Sequence, residues 1–223
     1  MAASVPAPPA PPLPLVEHVT TRRLRRSPSA RRCCQGSCLR AVGTSAAEAH
    51  SGLPRYHVSV QGEQFKFSCA HFVAYKGFRE RLHGHNYTVA VGIDGPRLDD
   101  GYTLDFGILK RAIRTVCKEL NEHLIVPMRS DVITITVDDT RNQLSMVCED
   151  GASFSVPVTD CALLPLVHST AEELAEYIHS RLVHVIGHDV FVTRRLHLMQ
   201  VTISERPPQS ATYIAPTPAD AKL

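Results

Sequence analysis

Hydrophobic and polar residues alternate over Tyr56–Val60 and again over Phe65–His71, the period of half-buried β-strands. The residues between them, Gln61-Gly62-Glu63, predict a hairpin-type turn. In the second run Phe65, Phe67, Cys69 and His71 share one parity, so an apolar face ends in a histidine. From His83 the odd positions run His83, His85, Tyr87, Val89, Val91 and Ile93, a third strand that Asp94-Gly95-Pro96 is expected to end. The period then changes. Asp105 can cap a helix whose apolar stripe is Phe106, Leu109, Ile113, Val116, Cys117 and Leu120. A second helix is expected from Ser169, with Glu172 completing a capping box and Leu174, Ile178 and Leu182 on its apolar side. Between the helices, Val132–Val137, Leu144–Cys148 and Ser153–Val156 read as three short strands, joined by Asp138-Asp139 and Asp150-Gly151 turns. The last strand, Leu196–Glu205, places Met199, Val201, Ile203 and Glu205 on one parity.

This parity turns three histidines into a candidate metal set. Residues two apart on a strand point the same way, roughly 6.5–7 Å apart, so His83 and His85 can converge on one ion. Gly84 between them leaves room on the opposite face. His71, on a neighbouring strand, would complete a three-histidine set with an open fourth position, which is what separates a catalytic zinc from a closed structural one. The bland alternative is an exposed or core histidine pair, since the chain holds 12 histidines. Glu205 has two readings as well. At a strand end it reaches water, or it points into a pocket and accepts paired N–H bonds from an amidine-like ligand edge.

The 223 residues suit one domain, or one domain with a tail. A net charge of +2 and the lack of an aromatic-interleaved basic patch argue against nucleic acid as a partner. No apolar run approaches a membrane span. Seven cysteines, irregularly placed, fit reduced thiols in an intracellular, cytoplasmic protein. Residues 1–52 differ in texture: Ala/Pro-rich to Leu15, then Arg- and Ser-containing without acidic residues from Arg22 to Arg40. Such a stretch is expected to be a disordered extension. Its composition also resembles a transit peptide, which leaves mitochondrion or plastid as alternatives. Cys33, Cys34 and Cys38 lack a second ligand pair and read as incidental. The folded domain is placed at 53–216, with 129–160 as a β insertion and 217–223 as a tail.

His71, the segment Leu82-His83-Gly84-His85-Asn86-Tyr87, Leu104-Asp105-Phe106, Ser169-Thr170-Ala171-Glu172 and Ser204-Glu205 occur in an order that resembles the 6-pyruvoyl-tetrahydropterin synthase and 6-carboxy-tetrahydropterin synthase family. The resemblance covers about residues 55 to 215 and implies an α+β T-fold, an antiparallel four-stranded sheet with two helices on one face. It also implies a barrel-like homo-oligomer, commonly a hexamer, with sites at subunit interfaces. By that resemblance His71, His83 and His85 look like zinc ligands, and zinc would ease removal of protons from the side chain of a dihydropterin. Glu205 would anchor the 2-amino-4-oxo edge of the pterin. Thr170 and Glu172 match positions that line its pocket, although a capping role is sufficient for Glu172. The reaction implied is a lyase step on 7,8-dihydroneopterin triphosphate that removes triphosphate, in tetrahydrobiopterin or folate biosynthesis.

The chain departs from the family where catalysis is most sensitive. The usual members carry a cysteine a few residues before the His-Gly-His segment, and here the stretch is Lys76-Gly77-Phe78-Arg79-Glu80-Arg81-Leu82. Cys69 lies too early. Glu80 is the candidate replacement and resembles a glutamate-bearing subgroup whose product is 6-hydroxymethyl-7,8-dihydropterin; a surface glutamate among arginines is the ordinary alternative. The stretch Leu120-Asn121-Glu122-His123-Leu124 lacks the family's Asp-His pair, so either His123 acts one position later or Glu122 occupies the slot. Lys76, Arg79, Arg81 and Arg206 lie close to the site in sequence, and solvated charges are their common explanation. A pterin-binding protein without turnover is the rival of another class.

Overall fold

The computed structural model describes residues 55–220. The extension expected over 1–52, its cysteines and the targeting question lie outside the described residues. In chain order the elements are β1 (Arg55–Val60), β2 (Lys66–His71), β3 (Ala74–Tyr75), β4 (Phe78–Arg79), β5 (His83–Pro96), α1 (Phe106–Leu120), β6 (His123–Pro127), β7 (Ile133–Asp138), β8 (Gln143–Cys148), β9 (Ser153–Pro157), β10 (Cys161–Leu164), α2 (Ala171–Ile186), α3 (His188–Arg194), β11 (Leu198–Arg206) and β12 (Gln209–Pro216).

The long strand β5 organises the sheet. Its 14 residues pair on one edge with β11 and on the other with β2 and β1 in succession, all antiparallel. β12 continues the sheet beyond β11. These antiparallel strands, with α1 and α2 packed on one face, are the α+β arrangement expected. The sheet extends further, since β6 pairs in parallel with β2 and β10 in parallel with β6.

Three sequence expectations change. The Gln61-Gly62-Glu63 turn does not make a hairpin. β1 and β2 lie end to end along β5, because β6 occupies the other edge of β2. Asp94-Gly95-Pro96 belongs to the third strand, which ends only at Pro96, because β1 and β11 flank it there, with Tyr56 opposite Gly95 and Leu198 opposite Asp94. The tail from residue 217 begins as packed structure. Thr217 is buried, its hydroxyl donates to the Leu196 carbonyl, and its N–H donates to the His197 carbonyl.

The odd-numbered side chains of β2, β5 and β11 face the helices. Phe67, Cys69, Tyr87, Val89, Val91, Ile93, Met199, Val201 and Ile203 pack with Leu109, Ile113, Val116 and Leu120 of α1 and with Leu174, Ile178 and Leu182 of α2. Burying such side chains contributes about 1.5–3 kcal/mol each before entropy is subtracted. Asp105 caps α1, its carboxylate accepting from Gly107 N–H at 2.7 Å. Phe106, counted on the apolar stripe, is exposed instead. The 129–160 segment forms the expected strands as a separate meander, β7-β8-β9. It has its own core, in which Val132, Ile133, Leu144, Met146 and Cys148 meet Phe72, Ala74, Leu124 and Val126.

Candidate metal centre and its carboxylates

The two strands that carry the histidines are in register, with His71 opposite His83 and Cys69 opposite His85. The three imidazoles therefore end one helix-facing surface. Their ring centroids are 4.7, 5.2 and 4.9 Å apart for the pairs 71–83, 71–85 and 83–85. A nitrogen of each lies within 4.8 Å of the others. A tetrahedral zinc with bonds of about 2.0–2.1 Å brings such nitrogens to roughly 3.4 Å, a contraction that small side-chain rotations supply.

The hydrogen bonds orient the rings for this purpose. His71 Nδ1 lies 2.9 Å from the Ser169 carbonyl and His83 Nδ1 lies 2.7 Å from the Arg81 carbonyl. A carbonyl only accepts, so both rings are Nδ1–H tautomers with the Nε2 lone pair free. His71 is 2% exposed, and burial lowers its pKa, which keeps the ring neutral as a metal ligand requires. Tyr87 donates its one hydroxyl proton to Glu205 Oε1 at 2.9 Å. Its oxygen also lies 3.3 Å from His71 Nε2. Two lone-pair-bearing atoms thus face each other with no proton left between them. A cation satisfies both the free nitrogens and the adjacent carboxylate, so the residues fit a zinc ion.

Glu205 completes the wall. It ends the apolar face of β11 and brings Oε2 to 3.8 Å from His85 Nε2, beyond hydrogen-bond range. Burial, then the bond to Glu205, holds the Tyr87 hydroxyl well above the ordinary phenol range, so it stays a donor to that carboxylate. The Glu205 side chain thus turns toward Tyr87 and His85 and is not left at the strand end in water alone.

Residues 60–216 match the family described as 6-pyruvoyl tetrahydropterin synthase. The chain belongs to this family. A Plasmodium vivax 6-pyruvoyl tetrahydropterin synthase structure is 42% identical with a TM-score of 0.70, the match covering 73% of this chain and 99% of that one. The Plasmodium falciparum counterpart is 40% identical at the same TM-score, with 73% and 98% covered. Two further Plasmodium vivax structures carry alanine or cysteine in place of a glutamate described as a catalytic residue. Among curated proteins, a Methanocaldococcus jannaschii chain provisionally named 6-carboxy-5,6,7,8-tetrahydropterin synthase is 30% identical over 149 residues, 66% of this chain and 88% of its own.

Against this tetrahydropterin synthase background, each remaining site residue has a definite place. Glu80 follows β4, half-buried, with Oε2 accepting the Val73 N–H at 3.0 Å and its own N–H donating to the Val73 carbonyl. Its charge adds the smallest part of the upward push on the Tyr87 hydroxyl. Cys69 cannot stand in for the family's cysteine: burial, then the Glu205 charge, pushes its thiol up to about 12, so it is an inert packed group. His123 opens β6 in register with Cys69, its Nδ1–H donating to the Asn121 carbonyl at 2.7 Å. It shares with His85, Asn86 and Glu122 the lining of a groove of about 420 Å³. Glu122 is exposed, with a left-handed backbone (φ 61°), and its N–H donates to the Ser68 carbonyl.

The start of α2 differs from expectation. Thr170, not Ser169, is the N-cap, accepting from Glu173 N–H at 3.3 Å. Glu173 reaches back to the N–H groups of Val167 and His168, so Glu173 and not Glu172 makes the capping contacts. Glu172 is left exposed in the first turn. Ser169 is fully buried, its hydroxyl tied to the Phe72 carbonyl while its own carbonyl orients His71. Sequence reasoning missed Ser169 and Tyr87 as site residues. The parity that placed His83 and His85 also placed Tyr87. A carbonyl contact such as that of Ser169 leaves no side-chain signal.

Proposed function

We propose that the chain is a zinc-dependent lyase acting on 7,8-dihydroneopterin triphosphate. The observation that carries this reading is the convergence of one nitrogen from each of His71, His83 and His85 within 4.8 Å, two of the rings fixed by carbonyl bonds and the third facing Glu205. His71, His83 and His85 would hold the zinc, whose positive charge would make the protons of the substrate's side-chain hydroxyls easier to remove. Glu205, steadied by Tyr87, accepts the paired N–H groups of the pterin edge. Thr170 and Glu172, at the entry to α2, line the same pocket. No helix among the described residues is long and apolar enough to cross a membrane. The expected homo-oligomer belongs to this proposal, and β12 offers an outer sheet edge for it.

Glu80 is the proton-transfer group. One of its oxygens is held by the Val73 N–H, leaving the other for the substrate. A single carboxylate suits a cleavage in which the same proton leaves and returns. Glu80 takes the proton of the 2′-hydroxyl, and the bond between C1′ and C2′ breaks as C2′ becomes an aldehyde. The electron pair passes into the C6–N5 imine as an enamine. Glu80 then returns the proton to C1′, giving 6-hydroxymethyl-7,8-dihydropterin, and the triphosphate departs on the two-carbon fragment. The competing branch expels triphosphate directly and ends at 6-pyruvoyl-tetrahydropterin. It needs proton removal at C1′ and delivery to the ring, where His123 is the candidate second group. The absence of a cysteine from Lys76 to Leu82, just ahead of His83, favours the first branch.

The test is incubation of zinc-loaded protein with 7,8-dihydroneopterin triphosphate and identification of the products, beside His83→Ala and Glu80→Ala. Formation of 6-hydroxymethyl-7,8-dihydropterin, lost in both variants, supports the reading. Formation of 6-pyruvoyl-tetrahydropterin moves the chain to the other branch. Retention of the pterin without turnover leaves a binding protein.

A further inference from the structure

Arg79, expected to be a solvated charge, is the most heavily engaged cation near the site. Its Nε donates to Asp150 Oδ2 at 2.8 Å and its Nη1 donates to the Glu80 carbonyl at 2.9 Å. Its guanidinium carbon lies 5.9 Å from the Phe72 ring centroid and 5.8 Å from that of Phe154, within cation–π range. The two rings are stacked on each other at 5.0 Å. Phe72 follows the metal-ligand candidate His71, and Phe154 belongs to β9 of the inserted meander. Asp150 sits in the β8–β9 turn, where its other oxygen accepts the Ala152 N–H at 3.0 Å. One turn of the insertion therefore reaches the Glu80 backbone through one side chain.

From this placement we infer that the β7–β9 insertion positions Glu80, with Arg79 as the positioning residue and Asp150 as its anchor. The inference rests on the reading of Glu80 as the proton-transfer group. The β3–β4 hairpin that leads into Glu80 is only two residues deep on each strand, too short to fix its own end. Tyr75 and Phe78 at its tip stack on each other at 4.8 Å and remain exposed. A cavity of about 460 Å³ lined by Tyr75, Gly77, Phe78, Cys148 and Glu149 separates the hairpin from the meander. The other tie across that gap is weak, Gly77 N–H to Glu149 Oε2 at 3.4 Å. The Arg79 fork thus holds the Glu80 carbonyl from the side of the insertion, while the Glu80 N–H and carboxylate meet the Val73 backbone on the other. Arginine suits this role because its rigid fork holds a carboxylate and a carbonyl at once.

The experiment measures kcat, KM, bound zinc and amide exchange for Asp150→Asn, Asp150→Glu and Arg79→Met in the full chain. Asp150→Asn and Arg79→Met are expected to lower kcat about tenfold or more, as displaced catalytic groups do, with KM within twofold and zinc retained. Asp150→Glu, which keeps the charge, restores most of the loss. Exchange at the Val73 amide quickens in Asp150→Asn and Arg79→Met. Asp150→Asn has no further effect on kcat in a Glu80→Gln background. An equal loss of kcat in that background, or unchanged Val73 exchange, overturns the positioning role. Full turnover in Glu80→Gln alone overturns the reading of Glu80 instead, and the amide exchange still reports on the clip.

Discussion

The two halves of the proposed site are built differently. His71 and His83 face each other on strands paired without interruption from Lys66 to His71, and the ladder continues through β11. Glu80 follows two-residue strands and depends on a side-chain fork and two bonds to the Val73 backbone. The difference separates two demands. A metal set needs several donors held at fixed separation, which a β-ladder supplies. A proton-transfer group must meet a substrate that comes and goes, and a short segment with few ties permits adjustment. Loss of a ligand should therefore abolish the metal centre, while changes around Glu80 should alter rate and leave the metal in place.

The largest effect is expected from His71→Ala. It removes a ligand and the bond to the Ser169 carbonyl. Bound zinc after gel filtration and turnover should each fall at least about a hundredfold, more than the 10–100-fold typical of lost supporting contacts. Retained zinc would mean that the ladder end does not hold the ion. Tyr87→Phe comes next. It removes the donor to Glu205 while keeping the ring stacked on Phe67. A hydrogen bond to a charged group contributes about 1.5–3 kcal/mol, so KM for the pterin substrate should rise roughly tenfold with zinc unchanged. An unaltered KM would remove Glu205 from the binding wall. Cys69→Ala should leave turnover within about twofold and lower the unfolding free energy by about 1 kcal/mol. A large loss of rate would return a catalytic role to this thiol.

The smallest effect concerns the helix-packed body away from the histidines. His179 on α2 is buried against Tyr213, and burial lowers its pKa from 6.5. Well above pH 6.5 the ring is neutral in both folded and unfolded chains. As pH falls below that value the unfolded chain binds the proton first, so stability declines until the lowered native value is passed. His179→Leu should flatten the fall of the urea midpoint between about pH 7 and 5 by up to one proton's worth of slope. An unchanged slope would assign the dependence to other groups.

Much of this division was legible in the sequence, and the reasons are physical. Strand parity placed His71, His83, His85 and Glu205 on one face, where the structure brings them together, because one face of each strand is buried and the period of two is strict. The stripe of α1 was legible for the same kind of reason. β6 and β10 were not anticipated, because Leu124–Pro127 and Cys161–Leu164 are short apolar runs in parallel pairing and show no clean alternation. The end-to-end placement of β1 and β2 depends on β6 claiming an edge, a long-range fact invisible to a local turn motif. The capping error has a local cause. Ser169 and Thr170 are both good caps, and burial of the Ser169 hydroxyl against Phe72 decides for Thr170. Arg79 looked like one charge among several until the insertion folded back and placed Asp150 beside it.

The central claim is that metal holding and proton transfer reside in separately built parts of one site. It is tested most directly by measuring bound zinc and turnover of 7,8-dihydroneopterin triphosphate on the same preparation of Glu80→Gln. The account predicts zinc equal to that of the unaltered chain, with turnover lower by about 10²–10⁴-fold, the usual contribution of a positioned acid or base. Loss of zinc together with turnover would make Glu80 part of the metal centre, and retained turnover would leave it no chemical role. Either result contradicts the account.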